Sequence, residues 1–112
     1  MIARRNRFHG HNSVAKVRGA RLQTPFFRVF YSRNNKRNDF RMAVVISKKT
    51  AKTAIVRNRI RRRLYEAVRK AEILNGEPLD VVFVVNDETV ARVPASQLEK
   101  QVIKTCKQMK KS

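Results

Sequence analysis

Apolar residues in this chain follow two kinds of spacing, and their order along the sequence sets out a fold. PFFRVFYS, residues 25–32, is dense in aromatic and β-branched side chains with no helical period, which predicts a strand. A period of two puts Phe27, Val29 and Tyr31 on one face and Phe26, Arg28 and Phe30 on the other, and both faces are mostly apolar. Such a strand is either central and covered on each side, or it has one face lining a cleft open to a ligand. SRNNKRND, residues 32–39, has the composition of a turn. DFRMAVVIS, residues 39–47, predicts a second strand ending at Lys48 and Lys49. A hairpin between the two strands is the economical pairing.

From about Ala51 to Leu74 the period becomes helical. Val56, Ile60, Leu64, Ala67, Val68 and Ala71 gather on the side that should cover a sheet. Asn75 and Gly76 stop the helix and Pro78 prevents early resumption. LDVVFVV, residues 79–85, is apolar on both faces and predicts an internal third strand. Ser96 and Glu99 read as a capping box ahead of Leu98, Val102, Cys106 and Met109, the stripe of a last helix, with a lysine-rich flexible tail over 108–112. Upstream, residues 1–12 read as a flexible basic arm. A short helix follows, with Val14 and Val17 on one face, and a further short strand is expected near 18–23. The order α-β-β-α-β-α, with that extra strand, predicts a single α+β domain over 1–112: a two-layer sandwich of one small mixed sheet with helices packed on it.

Charge then narrows the partner. The 112 residues hold 27 Lys and Arg against 8 Asp and Glu, a net charge of +19, and 21 of the basic but only 3 of the acidic side chains fall in residues 1–74. A field of that sign steers polyanions and holds them by counterion release. The 42% apolar content is too high for a disordered polycation. An anionic membrane is not the expected partner, because no apolar run approaches the roughly 18 to 20 residues of a spanning helix. The start MIARRNRF lacks the apolar stretch of a secretory signal, and Cys106 is the only cysteine, so no intramolecular disulfide is expected. These features suggest a cytosolic protein facing RNA or DNA. A basic helix set between strands, not between helices, favours RNA.

Catalysis by the polypeptide is hard to assemble. No two carboxylates of the basic region form an obvious acid and base pair or a metal cluster, and His9 and His11 have no acidic residue near them in sequence. Cys106 lies on an apolar stripe and reads as structural. RNRIRRR, Arg57 to Arg63, places five arginines within seven residues with no carboxylate between them. Like charges three and four apart destabilise a helix by a few tenths of a kcal/mol each unless something neutralises them. A guanidinium reaches two phosphate oxygens at once, and Asn58 offers both a donor and an acceptor. Lys48 and Lys49 extend the same surface. Composition alone also suits a structural protein of the ribosome.

RMAVVISKKTAKTAIVRNRIRRRLYEAVR, Arg41 to Arg69, resembles the signature of the protein subunit of bacterial ribonuclease P, with the flanking RGARLQTPFFRVFY and LDVVFVV in matching order. The resemblance implies a left-handed crossover from the second strong strand through the basic helix to the next strand. It implies a complex that removes the 5′ leader from precursor tRNA, in which a catalytic RNA with bound Mg²⁺ does the chemistry and the isolated chain is inactive. The partners would be that RNA and the precursor tRNA, with no protein partner required. Carried over by position, Lys48, Lys49, Arg57, Asn58, Arg59, Arg61, Arg62 and Arg69 would face the catalytic RNA, and Val14, Phe27, Val29 and Tyr31 would line a cleft for the single-stranded leader.

Overall fold

The computed structural model describes residues 20–34, 36 and 38–111, so the expected arm, the first helix and Val14 lie outside the described residues. The elements are β1 (Ala20–Gln23), β2 (Phe27–Arg33), β3 (Arg41–Ile46), α1 (Ala54–Ala71), β4 (Leu79–Val85), a 3₁₀ turn (Glu88–Ala91) and α2 (Ala95–Lys111). The extra strand expected before Thr24 is present as β1.

β2 and β3 do not form the expected hairpin. The strand order is β1-β2-β4-β3, with β4 antiparallel to β2 and parallel to β3. The reason lies in β4 itself: six of its seven residues are buried, on both faces, so the strand gains most from having a neighbour on each edge. β2 reaches it over seven paired residues, Phe27 opposite Val85 through Arg33 opposite Leu79. β3 then reaches β4 only through the crossover made by α1.

Register sorts the strand residues onto two faces. Val29, Phe83 and Val44 form one row, flanked by Phe27, Val85 and Ile46 and by Tyr31, Val81 and Met42. This face meets Ile60, Leu64, Ala67 and Val68 of α1 and Leu98, Val102, Cys106 and Met109 of α2 in one core. Phe27 and Phe83 pack edge to face, with ring centroids 5.3 Å apart. The other face carries Phe30, Val82 and Ala43, then Arg28, Val84 and Val45, then Ser32, Asp80 and Arg41. Burial of Cys106 pushes its thiol up to about 12, which leaves it a core side chain with no thiolate at neutral pH.

The helix ends differ from the sequence expectation in instructive ways. α1 stops at Ala71, three residues before Leu74, because Glu72 turns left-handed with φ 57° while its N–H still donates to the Val68 carbonyl. A side chain with a Cβ is strained there. Glu72→Gly should therefore raise stability by about 0.5–1 kcal/mol in a denaturant titration, helped by removal of a negative charge from the negative end of the helix. α2 begins at Ala95, with the Leu98 N–H donating to the Pro94 carbonyl, so Ser96 lies inside the first turn and makes no capping box. Glu99 instead reaches Lys70 on α1 at 3.6 Å. The helix also runs on to Lys111, where a flexible tail is expected, since Met109 is fully buried and holds the last turns down.

Candidate nucleic-acid interface

Thr53 starts α1: its side chain accepts from the Val56 N–H at 3.2 Å. Ile60 and Leu64 have no exposed surface, which fixes the rotation of the helix about its axis. The opposite side therefore presents Ile55, Asn58, Arg59, Arg62 and Arg69, all exposed. Ahead of it, the Ser47 carbonyl accepts from the N–H groups of Thr50 and Ala51, both at 3.1 Å. That tight turn throws Lys48 and Lys49 into solvent. Lys49, Lys52, Thr53 and Val56 then share a cavity with Asn86, Asp87 and Glu88, which brings the lysine turn and the start of α1 into one surface.

The five arginines of the run do not act alike. Arg59 and Arg62 are exposed, and among the described residues neither has an ion-pair partner. Arg61 is half-buried and leans on Asn58, donating to Oδ1 at 3.3 Å, which leaves the Asn58 amide N–H groups facing outward as donors. Arg57 turns back along the chain and donates to the Ala51 carbonyl at 2.8 Å. Arg63 crosses to the segment before α2, where it donates to the Val90 carbonyl at 2.7 Å and to the Val93 carbonyl. Sequence spacing placed Arg57 with the outward set. Its rotation about the helix puts it over the loop, so truncating it would disturb the entry to α1 as well as any RNA contact.

Arg69 ends the exposed ridge in a bidentate pair with Glu66, at 3.1 and 2.9 Å. The Arg69 guanidinium is the main cause that lowers the Glu66 carboxyl to about 2, so the pair is ionised at neutral pH. Its net charge is zero, and Arg69 adds less to the field than Arg59 or Arg62.

Phe27, Val29 and Tyr31, expected along a leader cleft, are instead core residues at 0%, 0% and 5% exposure. The helices cover that face, because it is the face that Ile60, Leu64 and Val102 complete. The other face of β2 carries Phe30 and Arg28, both half-buried. Among the described residues Arg28 Nε is buried and has no hydrogen-bond partner, an arrangement that costs about 1–3 kcal/mol.

Among the described residues no three His, Cys, Asp or Glu side chains stand close enough to hold a metal ion, and no helix is long and apolar enough to cross a membrane.

The sequence model of the family described as Ribonuclease P matches residues 2–110. No curated protein matches at a significant level. Among solved structures, the RNase P protein of Staphylococcus aureus is 22% identical with a TM-score of 0.73, the match covering 91% of this chain and 95% of that one. The RNase P protein from Thermotoga maritima is also 22% identical, with a TM-score of 0.71 and coverage of 80% and 83%. At such identities the likeness is one of fold.

Proposed function

The chain belongs to the ribonuclease P family and is a protein subunit of that ribonucleoprotein, and from this premise we propose how it works. It binds the catalytic RNA through the exposed ridge of α1, with Arg59 and Arg62 on phosphates, Arg61 held in place by Asn58, and Lys48 and Lys49 extending the contact. The observation that carries this reading is the exposed, unpaired pair of guanidinium groups above a fully buried Ile60 and Leu64. Among the described residues nothing neutralises them, and an RNA backbone does.

The substrate is precursor tRNA, and its single-stranded leader is taken by the sheet face opposite the helices. Arg28 and Phe30 on that face supply a cation and an aromatic plane, the combination on which unpaired bases stack. Phe27, Val29 and Tyr31 support that strand from the core side. In this reading, cleavage of the 5′ leader is the work of the RNA and the Mg²⁺ its phosphates hold. The protein's part is to lower repulsion between two RNAs and raise their affinity, in the cytoplasm and without a further protein partner.

Reconstitution of the catalytic RNA with and without the chain, at limiting Mg²⁺, tests the proposal. Precursor cleavage should rise with added protein, and the gain should shrink with Phe30→Ala and with shortened leaders. Purified chain freed of RNA should leave the precursor intact. Equal cleavage with and without protein would instead assign the chain a structural role only.

A further inference from the structure

Counted along the sequence, residues 75–112 are almost neutral, with six basic and five acidic side chains, yet the fold separates the two signs. Glu77 lies beside Arg33 and Lys110, Asp80 is held by Arg41 and Asn34, Asp87 caps the start of the 3₁₀ turn whose first residue is the exposed Glu88, and Glu99 faces Lys70. What remains on the outer side of α2 is Lys100, Lys104 and Lys107, all exposed. Among the described residues none of the three is ion-paired. Leu98, Val102, Cys106 and Met109 bury the opposite side, so the three lysines point directly away from the core.

We infer that this lysine stripe is a second contact for the phosphate backbone of the catalytic RNA, separate from the arginine ridge of α1. The inference rests on the reading of the chain as an RNA-binding subunit and extends it to a surface that the arginine motif does not include. Spacings of four and three residues give rises of about 6 and 4.5 Å, a stripe about 10 Å long. One strand of a duplex carries roughly three phosphates over that length.

The helix alone does not account for the pattern. A cation near the C-terminal end is favoured by the helix dipole, which suits Lys107, but Lys100 stands in the second turn, where the dipole gives it no support. Like charges at this spacing also repel unless a polyanion lies over them. α1 and α2 complete the same core on the same sheet face, and they enclose a groove lined by Ala67 and Leu98, by Arg62, Arg63 and Lys70, and by Glu66 and Glu99, which pair with Arg69 and Lys70. Packed helices lie about 8–10 Å apart, less than the width of a nucleic-acid duplex. A structured RNA seated on Arg59 and Arg62 therefore meets the α2 lysines as well. The two chemistries divide the work: guanidinium forks fix register on α1, and lysine point charges on α2 add affinity without reading sequence.

The test is the triple substitution Lys100→Gln, Lys104→Gln and Lys107→Gln in the full chain, with binding to the catalytic RNA measured across a salt series and the complex footprinted with hydroxyl radicals. The expected result is at least about 10-fold weaker binding near physiological salt. The slope of log affinity against log salt should be smaller in magnitude by about 2, from three lost contacts. One RNA tract should lose protection, distinct from the tract lost in an Arg59→Ala, Arg62→Ala variant. Lys→Arg at the same three positions should restore both slope and protection. An unchanged slope overturns the inference, and so does protection that weakens evenly everywhere, which marks the lysines as part of a general field only. Should the arginine variant also bind normally, the RNA-binding reading itself fails; should it alone lose affinity, only the second contact does.

Discussion

Arg59→Ala combined with Arg62→Ala should weaken binding of the catalytic RNA by about 10- to 100-fold near physiological salt and leave the melting temperature of the free chain unchanged. Two solvent-screened phosphate contacts of about 0.7–1.4 kcal/mol each account for a loss of that size. Each phosphate contact removed should also reduce the salt slope by about 0.7–0.9. Arg63→Met should do the reverse. Its guanidinium donates to the carbonyls of Val90 and Val93 and so ties α1 to the segment that feeds α2. Methionine keeps the apolar stem and removes both donors, leaving two partly buried carbonyls without partners. The expected cost is about 2 kcal/mol, or roughly 10 °C in Tm, with the salt slope of RNA binding unaltered. Thermal melts and a salt titration on the same two proteins separate the cases. If both variants lost affinity alike with no change in stability, the division of the arginine run into an outward and an inward set would be wrong.

That division shows where sequence reasoning reached its limit. The helical stripe of Ile60, Leu64 and Val68 was legible because both its period and its burial are local properties of one helix. The central place of β4 was legible because seven residues apolar on both faces have few other places to go. The inward turn of Arg63 was not, because its acceptors lie 27 and 30 residues further along the chain. Strand pairing failed for a related reason. A hairpin of β2 with β3 and a crossover to β4 satisfy the same local alternation, and only the competition for the edges of β4 decides between them. The core face of β2 was ambiguous for the same strand: Phe27, Val29, Tyr31 and Phe26, Phe30 are equally apolar, and it is the position of the two helices that buries the first set. The lysine stripe of α2 was hidden by segment totals, which count acidic groups that the fold places elsewhere.

Asp80→Ala should lower stability by about 3 kcal/mol, although the residue lies away from the arginine ridge of α1. Asp80 lies at the start of β4, directly opposite Arg41 in the parallel register. Its Oδ1 accepts from Arg41 Nε at 2.9 Å and its Oδ2 from Arg41 Nη2 at 3.0 Å, while Asn34 Nδ2 donates to Oδ2 at 3.1 Å. One carboxylate thus joins the end of β2 and the starts of β3 and β4. The need for it follows from topology: β3 is an edge strand, reaches β4 only through the crossover, and has no tight turn to set its register. With the Asp80 side chain 11% and that of Arg41 27% exposed, removing the carboxylate takes a bidentate partner from a cation that water reaches poorly. The double variant Arg41→Met with Asp80→Val should recover most of the loss, since a buried ion pair and a well-packed apolar pair are of similar worth. At temperatures where Asp80→Ala remains folded, RNA affinity should stay near that of the parent, because the ridge of α1 is fixed by Ile60 and Leu64 and not by this pair. A single substitution costing under about 0.5 kcal/mol in urea would mean that the α1 crossover and the β3–β4 ladder hold the register without the lock.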